Sequence, residues 1–109
     1  MGLFSGTIQL AALQQRELDL EYKIQSLQSE SARITEKAIN LVKIGEELDP
    51  ESPEYKKIQQ RREKLHLLEK KISQDILRYQ TLLKLVETQK ETAQKMVDSG
   101  IKRLSFNAY

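Results

Sequence analysis

Apolar residues recur along this chain with a period of seven over almost its whole length. Leu13, Leu20, Leu27, Ile34, Leu41 and Leu48 form one row, and Ile58, Leu65, Ile72, Tyr79, Val86, Ala93 and Gly100 resume the period after a short gap. Three residues before each member of the first row stands a second row: Leu10, Glu17, Ile24, Ser31, Ala38 and Gly45. The second half carries flanking positions as well, Leu68, Leu82 and Met96 on one side, and Ile76, Leu83, Val97 and Leu104 on the other. Spacings of three and four place such residues on one narrow stripe of a helix, the seam of a coiled coil. The pattern predicts helix 1 over residues 7–48 and helix 2 over 53–99. An apolar arm, 1–6, precedes them, and a tail, 100–109, follows. Ser5 or Thr7 is the candidate cap of helix 1, and Ser99-Gly100 the candidate end or bend of helix 2.

The gap between the rows is a turn over residues 49–53. Asp49 precedes a proline and is pushed out of the helical region, and Pro50 lacks the N–H that a continuing helix needs. Ser52 is a good N-cap, Pro53 suits the first helical position, and Glu54 faces the positive end of the helix dipole. If the chain folds back here, residues whose numbers sum to about 106 lie opposite each other. Leu48 then meets Ile58, Leu41 meets Leu65, Ile34 meets Ile72, Leu27 meets Tyr79, Leu20 meets Val86 and Leu13 meets Ala93. Gly6 falls opposite Gly100. An all-α, antiparallel two-helix hairpin of the coiled-coil kind is expected, a single domain overall.

Other apolar residues lie off this seam. Leu18, Tyr22, Ile39, Val42 and Ile44 do so on helix 1, and Leu67, Leu77, Leu85 and Ile101 on helix 2. A second apolar stripe on a helix asks for a second neighbour. The open end gathers Leu3, Phe4, Ile8, Ile101, Leu104, Phe106 and Tyr109, candidate assembly contacts of a self-associating chain. Within the seam, Glu17 and Ser31 have two readings: polar edge positions reached by water, or devices that set register or oligomeric state. Gly45 is read either as a close approach of another helix or as local fraying near the turn.

Charged residues make up 31% of the chain and aromatic residues 6%, a balance that suits long helices better than a globular core. The net charge of +2 conceals an asymmetry. Residues 1–48 carry five Lys or Arg against seven Asp or Glu, and residues 54–109 carry thirteen against seven. Opposite signs on two helices favour their pairing, with each other or with other copies. There is no Cys, so disulfide and thiolate chemistry are excluded. His66 is the sole histidine and lies beside the seam, which leaves no zinc ligand set. Carboxylates such as Glu17, Asp19, Glu21, Glu46 and Glu47 lie on solvated faces with no pocket to tune them. No catalytic, metal or cofactor site is expected.

The cluster Lys56, Lys57, Arg61, Arg62, Lys64, Lys70 and Lys71 invites a nucleic-acid reading. Glu54, Glu63 and Glu69 interrupt it, Tyr55 alone offers a stacking ring, and a solvated face is preferred. A membrane role is disfavoured too, since no apolar run spans a bilayer and no broad interfacial face is evident. The opening residues lack the features of a cleaved secretory signal, and Gly6 stands where a myristoylation motif wants Ser or Thr. Export to the cell surface without a cleaved signal, or retention in the cytoplasm, both stay open.

The turn Asp49-Pro50-Glu51-Ser52-Pro53, followed by an amphipathic helix with Ile58 and Leu65, resembles that of bacterial type III secretion needle subunits. The stretch from Met96 to Phe106, with Lys102 and Arg103 among apolar residues, is similar to the C-terminal end of such subunits. The likeness also extends, more loosely, to small flagellar axial proteins. It implies a helical hairpin that polymerises into a hollow filament through its termini and faces. The expected function is therefore a structural subunit of a homo-oligomeric, filamentous or tubular assembly linked to secretion or the cell surface. The alternative is a dimeric helical adaptor or export chaperone binding a partner helix.

Overall fold

The computed structural model of the chain describes residues 2–107. It is an all-α, two-helix hairpin: α1 spans Leu3–Glu46 and α2 spans Pro53–Asn107. The contacts between the helices group into two compact units. One joins α1 up to Lys23 to α2 from Tyr79 onward, and the other is the hairpin Ile24–Arg78.

The turn is built by its own side chains. The last turn of α1 tightens through bonds from the Glu47 and Leu48 N–H groups to the Ile44 and Gly45 carbonyls, both 3.2 Å. The Asp49 carboxylate accepts the Glu51 N–H at 3.1 Å, and the Ser52 hydroxyl donates to the Asp49 carbonyl at 2.7 Å. The same hydroxyl accepts the Tyr55 N–H at 3.2 Å, satisfying a donor that would otherwise be orphaned at the start of α2. Lys43 closes α1 and Glu54 opens α2, each complementing the adjacent helix dipole.

Three expected boundaries differ. Residues 3–6 are not an arm but the first turn of α1. The Gly6 N–H bonds the Gly2 carbonyl at 2.9 Å, and Thr7 does not cap the helix but donates its hydroxyl to the Leu3 carbonyl at 2.7 Å. Helix 1 ends at Glu46, so Leu48 lies in the turn, where Asp49 and Pro50 stop the helical path. Helix 2 does not end at Ser99-Gly100; it continues through the expected tail to Asn107.

Two glycines let the helices approach closely at this end. A Cβ on Gly100 would lie 2.7–2.8 Å from the backbone N, Cα and Cβ of Leu3. One on Gly6 would lie 3.1 Å from Val97 Cγ2 and 3.3 Å from the Val97 nitrogen. Both glycines are buried seam positions where the helices touch backbone to side chain or closer. Gly100 therefore faces Leu3 rather than Gly6. Gly45 is not so constrained: its Cβ would stand 3.6 Å from Ile58 Cγ2, an ordinary contact.

Candidate interaction surfaces

The seam of the first unit holds Leu20, Ala93 and Val86, all buried, with Leu13 and Tyr79 half-buried. Among them sits an ion pair between the helices. Lys90 Nζ lies 3.0 and 3.2 Å from the two Glu17 carboxylate oxygens, and the side chains keep only 27% and 20% of their exposure. Glu17 is thus paired across the seam while keeping partial access to water. Lys90 occupies the row of Leu83 and Val97, where its charge would be unmatched without Glu17. Lys23 also crosses to α2, its Nζ 5.3 Å from the centre of the Tyr79 ring, in cation–π geometry.

The outward face of α1 in this unit carries the second stripe. Phe4, Ile8, Ala11, Gln15, Leu18 and Tyr22 alternate four and three residues apart, and every one is exposed. Phe4 keeps 82% of its surface and Tyr22 72%. None is charged, and α1 has no charged side chain before Arg16. On α2 of the same unit, Leu85, Ile101 and Leu104 are exposed. Leu3, counted with the assembly candidates, is half-buried against Gly100 and belongs to the hairpin instead. Phe106 lies in the last turn of α2, and Tyr109 falls outside the described residues.

In the second unit Ile24, Ile34, Ile58 and Ile72 are buried, Leu27, Leu41, Leu65 and Ser31 are half-buried, and Leu48 is half-buried in the turn. Ile39, Ile44, Leu67, Leu68 and Leu77 are exposed. The two sides of this hairpin differ in charge. On one, Lys37 and Asn40 of α1 and Arg61 and Lys64 of α2 rim a groove of about 450 Å³ floored by Leu41 and Leu65. On the other, Arg62 and His66 of α2 share a groove with Glu63 and Glu69, facing Ala38, Ile39 and Val42. The basic cluster read along the sequence is therefore divided by the fold, and its interrupting acids Glu63 and Glu69 lie on the mixed side.

Among the described residues no three His, Asp or Glu side chains gather as metal ligands, and no helix is long and apolar enough to cross a membrane. His66 is exposed. The surfaces described above offer apolar contact and charge. The chain matches no protein-family model, curated protein or solved structure with which it was compared.

Proposed function

We propose that this chain is a non-enzymatic structural subunit that associates with copies of itself, building a filamentous or tubular assembly linked to secretion or the cell surface. The observation that carries the reading is the exposed, uncharged stripe from Phe4 to Tyr22 on the face of α1 turned away from the seam. Interface cores are depleted in charge and enriched in aromatic residues, as this stripe is. Fully burying a large apolar side chain is worth about 1.5–3 kcal/mol. Phe4, Ile8, Leu18 and Tyr22 on two copies would then return on the order of 10 kcal/mol, comparable with the cost of association. The likeness of the turn and C-terminal stretch to needle subunits supports the link to filaments and secretion.

Sedimentation velocity on the wild type and on Leu18→Asp/Tyr22→Asp tests this reading. The wild type is expected to form concentration-dependent oligomers, and the variant to associate far more weakly with unchanged helical circular dichroism. A wild type that stays monomeric at every concentration would reject self-assembly. A fixed small oligomer would favour the adaptor reading, in which the stripe meets a partner helix.

A further inference from the structure

The second unit pairs a cationic groove with an acidic tip. Lys37, Arg61 and Lys64 surround the Leu41 and Leu65 floor, and among the described residues none of the three is in an ion pair. Lys57 and Lys71, exposed one heptad either side of Lys64, extend the positive row along α2. The turn is the reverse: Glu46, Glu47, Asp49, Glu51 and Glu54 are all exposed, and no basic residue interrupts the stretch from Ile44 to Tyr55. The bonds of Asp49 and Ser52 set the path of the backbone that carries these carboxylates, in which Leu48 is half-buried.

We infer that the groove of one copy receives the acidic turn of a second copy, with Lys37, Arg61 and Lys64 facing its carboxylates. Charge complementarity between the two patches argues for this occupant. An apolar floor suits a peptide segment containing Leu48 and Pro50, and no exposed aromatic ring lines the groove for a nucleic-acid base to stack upon. Groove and turn are different patches, so the contact is heterologous and repeats from copy to copy unless its rotation closes a ring. The inference rests on the self-assembly reading and assigns one of its contacts.

Charge reversal decides it. Lys37→Glu/Arg61→Glu/Lys64→Glu and Glu46→Lys/Glu47→Lys/Glu51→Lys are prepared separately and mixed in equal amounts, with self-association followed by sedimentation at low and high salt. Each variant alone is expected to associate more weakly than wild type by about tenfold or more, since like charges then face each other. The mixture restores association, and high salt weakens the wild-type contact. The restoration also shows that neither variant is merely misfolded. If both variants associate as wild type while Leu18→Asp/Tyr22→Asp does not, this contact is wrong and the assembly reading stands. If the wild type never associates, both fail. If the wild type binds single-stranded DNA through the groove and mixing restores nothing, the occupant is wrong.

Discussion

Alanine at each of three helical glycines should change stability with a different sign, and the structure sets the order. In a helix interior Ala is favoured over Gly by about 1 kcal/mol, a gain that applies fully at Gly100 and is smaller at Gly6 and Gly45 in the terminal turns of α1. At Gly45 the new methyl meets Ile58 Cγ2 at 3.6 Å and Tyr55 Cε2 at 3.9 Å, both normal separations. Gly45→Ala should therefore stabilise, by about 0.5–1 kcal/mol given its place in the last turn. At Gly6 the methyl lies 3.1 Å from Val97 Cγ2 and 3.4 Å from Met96 Cβ. Those side chains must yield slightly, and the change should be near zero. At Gly100 the methyl lies 2.7–2.8 Å from Leu3 N, Cα and Cβ. That is about 1 Å inside the optimum for non-bonded carbon atoms, against backbone that has no rotamer to move. Overpacking of this kind costs about 1–3 kcal/mol, which exceeds the propensity gain, so Gly100→Ala should destabilise by up to about 2 kcal/mol. Guanidinium unfolding followed by circular dichroism, at a concentration low enough to keep association constant, gives the three differences. Hydrogen exchange at the Gly6 amide, bonded to Gly2, should quicken in Gly100→Ala as the first turn of α1 lifts away. A Gly100→Ala protein as stabilised as Gly45→Ala would refute the backbone contact and the register built on it.

Replacing one partner of the seam ion pair should cost more than replacing both. Lys90→Met leaves Glu17 partly buried without its cation and should lose about 1–3 kcal/mol, whereas Glu17→Leu/Lys90→Leu should match or exceed wild-type stability in the same unfolding assay. The double variant should also lose register specificity, read as new cross-links between cysteines placed one heptad out of step. Ser52→Ala removes the hydroxyl that caps α2 and should cost about 0.5–2 kcal/mol, while Ser52→Asp, which keeps an acceptor, should retain most of the stability.

The heptad rows made the hairpin legible because their Leu and Ile side chains are the seam. The ends of the helices were less so. Gly6 and Gly100 look like breaks in an apolar pattern, yet they sit in it, since a backbone approach leaves no side chain to read. Lys90 was missed for a related reason: a charge in a seam reads as a misfit until its partner is found. The signal was available, because Glu17 and Lys90 have numbers that sum to 107, one away from the register of the apolar pairs. The cationic groove was hidden more deeply. Lys37 is supplied by α1 and Arg61 and Lys64 by α2, and only folding brings them together and moves Glu63 and Glu69 to the other side. The outer stripe of α1 was partly visible in Leu18 and Tyr22, but its continuity with Phe4 and Ile8 required a helix that begins at Leu3.

Self-association of the intact chain is the claim on which the functional account turns. Light scattering on the purified protein over a concentration series, with negative-stain electron microscopy of the same samples, tests it most directly. Scattering mass should rise with concentration, and particles of constant width should lengthen. A monomer at every concentration, with an empty field in the microscope, would contradict it.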